Sequence, residues 1–426
     1  MIENEKLVKA RKRNMKLYPV YRAVASDIIF LYAIKILFLT EVRGVSVSDV
    51  IFSVSMFALF MVLLQIPAMI VIQKIGYRKS AFLSNLFNIF YVGILMFSSN
   101  VIHLCIAEFM SALTFSLKEV AEPSLLSASI PKTEKRGKIY SKLEGKGRAH
   151  YYYIDAITAV LSGFIYAVNP YLPLIFAIVV SVFACLLSLL FEEIKEEKEV
   201  EEEFNTKEYI GQLKKSFAFI LKSKRLKSLL LYSGITWGFM CIMGDYRTSV
   251  LQDINTPAQI IGIMAAIFGI VSGIASKKQV EFHNIFKKHS LSVIMISCAI
   301  AMMLSGAIVL IKAPVWLCIF VILILGFVGK IDNAMNNILT NRYLGNFSSG
   351  EMTSRIYATN SIAKNICRMI IGMIGSWLIG VVPSANAMFY AGGVFLLISF
   401  MLMLYMKPRV GLKPEEYKKE EIEMKV

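Results

Sequence analysis

The chain is 426 residues long, 56% hydrophobic and 18% charged, with a mean hydropathy of +0.61 and a formal net charge of +16. A soluble domain needs more polar surface than this, so the apolar excess has to face lipid. Unbroken apolar runs of about twenty residues exclude a transmembrane β-barrel, whose strands alternate over about ten.

Twelve candidate spans follow in chain order: Ala23–Thr40, Val50–Ile72, Ser80–Ser98, Val101–Ile130, Ala149–Asn169, Tyr171–Phe191, Ser228–Arg247, Pro257–Ser276, Ser290–Ile311, Ala313–Leu344, Tyr357–Val382 and Asn386–Met406. Each is long enough to cross a hydrocarbon core of roughly 30 Å at about 1.5 Å per residue. Ahead of them, the segment through Arg22 is basic and polar and lacks a small-residue cleavage pattern, unlike a removable signal peptide. With the loops assigned to alternating sides, the great majority of the 46 Lys and Arg fall on one side, whereas Arg43, Arg247 and Lys312 fall on the other. The positive-inside rule then places both termini in the cytoplasm of a cell-membrane protein. Loop charge facing anionic lipid accounts for the +16, so no nucleic-acid partner is needed.

The longest polar stretch sits near the midpoint. Residues Glu192–Glu203 form a charge run that reads as a solvated linker, and Asn205–Lys227 has amphipathic helical spacing suited to the membrane surface. The predicted architecture is therefore an all-α polytopic membrane protein of twelve transmembrane helices in two six-helix bundles. Residues 1–191 form the first bundle, 192–227 the linker, and 228–426 the second bundle with a basic tail. A short echo supports duplication: Arg136-Gly137-Lys138-Ile139-Tyr140-Ser141 follows span 4, and Arg355-Ile356-Tyr357 precedes span 11.

No G-x-x-x-x-G-K-[ST] cradle is present, and the four histidines are scattered without a nucleophile constellation, so neither ATP hydrolysis nor other enzyme chemistry is expected. The six cysteines all fall in apolar runs without metal-ligand spacing, so neither a metal nor another cofactor is expected.

The loop after span 2 reads Gln65-Ile-Pro67-Ala-Met69-Ile-Val-Ile-Gln73-Lys74-Ile-Gly76-Tyr-Arg78-Lys79. It resembles the signature of the major facilitator superfamily, in which a Pro-x-Gly run ends in Asp-Arg-x-Gly-Arg-Arg/Lys. Pro67, Lys74, Gly76, Arg78 and Lys79 fit, whereas Met69 replaces a close-packing Gly and Gln73 replaces the Asp. In the family that Asp helps to hold one conformation through loop basic residues. Its loss here implies a weaker latch, or one carried by another acid. Ser26-Asp27, the Arg136-Gly137 turn and residues 245–278 are similar to bacterial members as well. The resemblance implies a monomeric transporter whose helices 1, 4, 7 and 10 line a central cavity while 3, 6, 9 and 12 face lipid.

Ionisable side chains inside spans are costly and mark function by default. Here they include Asp27 and Lys35 on span 1; Glu108, Lys118, Glu119 and Glu122 on span 4; Asp155 on span 5; Asp245 and Arg247 at the end of span 7; Lys330 and Asp332 on span 10; and Lys364 and Arg368 on span 11. Spans 2, 3, 6, 8, 9 and 12 have none. The substrate and proton pathway is accordingly expected to involve Asp27, Lys35, Glu108, Lys118, Glu122, Lys330, Asp332, Lys364 and Arg368, with Trp237 on span 7 as a cavity aromatic. Lys118 and Glu122, four residues apart, are expected to pair. Lys364 and Arg368 are alike in sign, so Asp332 or an anionic substrate has to balance them. The leading expectation is proton-coupled efflux of a small amphipathic or drug-like compound. Uptake or exchange of an anionic solute, and a non-transporting sensor or scaffold, are the alternatives.

Overall fold

The computed structural model describes residues 5–131, 136–194, 211, 218, 223–346, 351–408 and 410. Among them there are helices and no strands. The principal helices are α1 (Glu5–Ala25), α2 (Val47–Ile75), α3 (Tyr77–Phe97), α4 (Val101–Ser129), α5 (Arg136–Val168) and α6 (Leu172–Leu189). They continue as α7 (Lys224–Asp253), α8 (Ala258–Lys277), α9 (Ser290–Leu310), α10 (Val315–Asn346), α11 (Glu351–Val381) and α12 (Ser384–Met406). Eleven helical stretches, one for each of α2 to α12, are long and apolar enough to cross a membrane.

The first expected span, Ala23–Thr40, is not a continuous helix. α1 ends at Ala25, Phe30 has φ +72°, and helical structure resumes only at Lys35–Leu37 and the π-helical Phe38–Val42. No Gly or Pro explains the break. Instead, Asp27 Oδ1 accepts from the backbone N–H of Ile28 at 2.8 Å, and the Ser26 hydroxyl bonds back to the carbonyl of Arg22. Such local side-chain bonds compete with the helical ladder.

Membrane helices reverse the polarity of soluble ones, and α6 shows how. Its large apolar side chains Ile175, Phe176, Val179, Val182, Phe183 and Leu186 are exposed, while Ser181, Ala184, Cys185 and Ser188 are buried against the protein. α12 repeats the pattern, exposing Val394, Leu397, Phe400 and Leu404 and burying Ala387, Ala391 and Gly392. Small buried residues let backbones approach closely. A Cβ on Gly392 would sit 2.5 Å from the backbone nitrogen of Met303, and one on Gly306 would sit 2.6 Å from that of Phe389. The α9–α12 crossing therefore requires glycine at both positions.

The contacts resolve into two compact units. One comprises the described parts of Met1–Val45, Phe60–Asn205 and Ala258–Ala266. In it α3 packs on α4 and α6, and α1 packs on α5 and α6. The other comprises the described parts of Ser46–Leu59, Thr206–Pro257 and Ile267–Val426. There α7 packs on α10, α11 and α12, and α9 packs on α10 and α12. The amphipathic helix expected over 205–227 lies largely outside the described residues; Lys224–Lys227 begin α7.

Candidate functional site

The loop between α2 and α3 is held by an acid that the motif does not contain. Gly76 has φ +85°, a conformation that glycine adopts at no steric cost, and it turns the chain into α3. Glu193 closes that helix start. Its Oε1 accepts from the N–H of Tyr77 and its Oε2 from the N–H of Arg78, both at 2.8 Å. Arg78 Nη2 in turn donates to the carbonyl of Leu189 at 2.6 Å. Gln73, Lys74 and Lys79 are exposed, and Pro67 sits inside α2. The Glu192-Glu193 start of the supposed solvated linker is thus structural: Glu192 is bound through Asn14 and Arg13, and Glu193 at α3. Replacing Glu193 with Gln should remove about 1 kcal/mol from this helix start, read as a roughly fivefold loss of exchange protection at the Tyr77 and Arg78 amides. Unchanged protection would contradict the assignment.

At the other end of α4, Arg136 Nη2 donates to the carbonyl of Ser127 at 2.9 Å and to its hydroxyl at 3.0 Å. A cation on terminal carbonyls is a favourable helix C-cap. Gly137 lies in the first turn of α5 behind it.

Within the first unit, the break after α1 brings charge together. Lys35 forms a salt bridge with the buried Glu108 of α4, and its ammonium lies 5.6 Å from the centroid of the Tyr91 ring. Asp27 receives the Tyr151 hydroxyl at a long 3.4 Å. Lys118, only 4% exposed, lies close enough for its charge to act on Asp27, yet makes no ion pair among the described residues. The Glu122 charge also acts on Lys118, as their spacing suggested, but the two form no direct ion pair among the described residues. Glu122 is fully buried and is taken by Arg22 in a salt bridge and by the Tyr21 hydroxyl at 2.9 Å. The carboxylate takes one donor from Arg22, through Nη1, and the second from the Tyr21 hydroxyl, while Arg22 Nη2 points to Glu144 at 3.6 Å.

The second unit separates its acid from its cations. Asp332 on α10, 3% exposed, is held by the Ser297 hydroxyl at 2.8 Å and by no cation among the described residues. Tyr232 and Asn336, both fully buried nearby along α7 and α10, carry polar atoms without hydrogen-bond partners among the described residues. Lys364 on α11 donates to Asn337 Oδ1 at 3.0 Å and lies 5.2 Å from the Trp237 ring. Arg368, one turn further, lies over Phe57 at 5.2 Å. Neither cation has a carboxylate within ion-pair distance among the described residues. Cys241 lies within electrostatic reach of Lys330, Lys364 and Arg368 together, beside a small cavity lined by Val54, Ser55, Asp245 and Arg368. The balance that Asp332 was expected to supply is absent, because it sits with Ser297 instead. Asn337, Tyr151, Tyr91 and Ser297 are partners that carry no charge in the sequence and so gave no signal there.

Solved structures with the same fold include a variant of the nucleoside transporter NupG, at TM-score 0.75 and 11% identity, covering 93% of this chain and all of that one. A D-xylose–proton symporter matches at TM-score 0.66 and 13% identity, covering 96% of this chain and 98% of its own. A POT family transporter bound to 5-aminolevulinic acid matches at 0.65 and 12%, covering 95% and 96%. No curated sequence matches the chain. Residues 23–363 match the family described as Major Facilitator Superfamily. With the helical architecture, the membrane-crossing helices and this match over most of its length, the chain is a multi-span transport protein that belongs to the Major Facilitator Superfamily.

Proposed function

We propose that the protein is a secondary transporter working by alternating access, that its cargo is a small organic anion, and that protons drive it. The observation that carries the anionic cargo is the pair Lys364 and Arg368. Two half-buried cations one turn apart, one donating to an amide and both lying over rings, have no carboxylate within ion-pair distance among the described residues, with Asp245 lining the same small cavity as Arg368. A negatively charged solute supplies what the protein withholds. Proton coupling rests on Asp332 and Asp27. Each is a carboxylate outside any ion pair among the described residues, and such a group couples to a proton when its surroundings alternate between buried and hydrated. The division into bundles at 192–227, cytoplasmic termini, a monomer and a cell-membrane location belong to the same reading. Those two acids also favour the second reading, proton-coupled efflux of an amphipathic cation.

Reconstitution into liposomes with an imposed pH gradient, an internal pH dye and a panel of anionic, neutral and cationic compounds tests both. Anion-triggered proton movement that disappears in Asp332→Asn supports the proposal. Proton movement triggered by cations alone replaces it with the efflux reading. Silence across the panel from folded protein favours a non-transporting scaffold.

A further inference from the structure

Helix α1 extends well before the first span, and its two faces differ. One face is anchored. Asn14, 1% exposed, donates to the Ser129 hydroxyl at 3.0 Å and to the carbonyl of Glu192 at 2.8 Å, and accepts from the N–H of Glu192 at 3.0 Å. These bonds pin the middle of α1 to the ends of α4 and α6. The opposite face then has a fixed position beside the lipid-facing surface of α6.

That face carries Lys9, Lys12, Arg13 and Lys16, at the i, i+3, i+4, i+7 spacing of a single helical stripe. Among the described residues, Arg13 alone of the four has an acid, Glu192 at 3.1 Å. Lys9, Lys12 and Lys16 are exposed and make no ion pair among the described residues. Further along, the same stripe turns apolar with Leu17 and Val20, and meets Leu190 past the end of α6. Together these residues line an open groove of about 550 Å³. Val20 is 49% exposed and Leu190 46%, continuous with the exposed Leu186 and Leu189 of α6.

We infer that this groove is a binding site for an anionic phospholipid, with its headgroup phosphate on Lys9, Lys12 and Lys16 and its acyl chains over Leu17, Val20 and Leu190. The order of chemistry along the groove selects the occupant. A free phosphate or a polyanion in solution would use the lysines and leave the apolar floor in water; a zwitterionic lipid would use the floor and leave the positive charge unanswered. An anionic lipid matches both ends, each base near such a surface adding to its attraction and each covered apolar residue to its hold.

The test is thermal unfolding of the full chain in detergent, titrated with phosphatidylglycerol, phosphatidylcholine or glycerol phosphate. Phosphatidylglycerol is expected to raise the midpoint, and the other two to leave it unchanged. Lys9→Gln, Lys12→Gln and Lys16→Gln together should raise the half-saturating phosphatidylglycerol at least about tenfold, with arginine at the same positions restoring it. Val20→Gln with Leu190→Gln should weaken binding comparably. All five positions are exposed, so the lipid-free midpoint serves as the folding control. Equal responses to phosphatidylcholine, full stabilisation by glycerol phosphate, or an unaltered titration in the lysine variant would each overturn the inference. The readout is lipid binding alone, so it stands apart from the identity of the cargo.

Discussion

Glutamine at both Lys364 and Arg368 is expected to abolish transport of the anionic cargo while making the empty protein more stable. The first effect follows from charge-assisted binding. Each such hydrogen bond to an anion contributes about 1.5–3 kcal/mol, so losing one cation should raise the apparent KM by roughly ten- to a hundredfold and losing both by about a thousandfold or more. The second effect follows from the geometry of α11. The two cations stand one turn apart, and Asn337, Trp237 and Phe57 give them dipoles and ring faces but no opposite charge. Like charges at that spacing repel, and the protein interior screens them less than water does. Removing them relieves that repulsion, so the unfolding midpoint should rise. Arg368→Lys keeps the charge but loses the planar stacking on Phe57 and the forked donors, and should fall between the two. Substrate-dependent uptake and a thermal unfolding curve on the same preparation check both halves. Unchanged KM in the double variant would defeat the binding role, and a lowered midpoint would mean that the cations are structural.

What the sequence discloses here follows from what each residue needs around it. Spans α2 to α12 are legible because a stretch that crosses lipid must be apolar over its whole length, whatever its neighbours are. The charged helices are legible because Lys, Asp and Glu are conspicuous within such stretches. The partners of those charges are not. Asn337, Ser297, Tyr151 and Tyr91 are ordinary residues until the fold sets them beside Lys364, Asp332, Asp27 and Lys35. Spacing was half right at Lys118 and Glu122, whose charges interact while the direct ion pair goes to Arg22 from another helix. The span Ala23–Thr40 was apolar enough to read as one helix, yet the helix ends at Ala25, just before Asp27 bonds to its own next amide. Glu193 was hidden inside a run of acids that looked uniformly solvated, because charge density alone does not mark an acid whose carboxylate accepts from two backbone amides.

The cluster around Glu122 leads to the largest expected loss of stability. Its carboxylate, fully buried, binds Arg22 and the Tyr21 hydroxyl, and that hydroxyl accepts from Asn85 Nδ2 at 2.9 Å. Glu144 extends the network: Arg22 Nη2 lies 3.6 Å from it, the Tyr18 hydroxyl donates to it at 2.6 Å, and Arg148 Nε at 2.8 Å. Four helices, α1, α3, α4 and α5, are thereby tied at one place. Glu122→Gln keeps the shape but leaves the Arg22 guanidinium, 17% exposed, with only the longer contact to Glu144. Breaking a buried pair from one side typically costs about 3–5 kcal/mol, because the remaining charge stays desolvated. Arg22→Met should cost a similar amount by stranding Glu122. The double variant should recover about 2 kcal/mol or more of the summed loss, since neither charge is then left alone. Chemical unfolding of the four proteins in one detergent measures this coupling directly. If the single variants lie within about 0.5 kcal/mol of wild type, the cluster does not hold the helices. If Glu122→Gln is destabilised yet still transports at a temperature where it is folded, Glu122 belongs to the scaffold and the proton route has to run through Asp27 and Asp332.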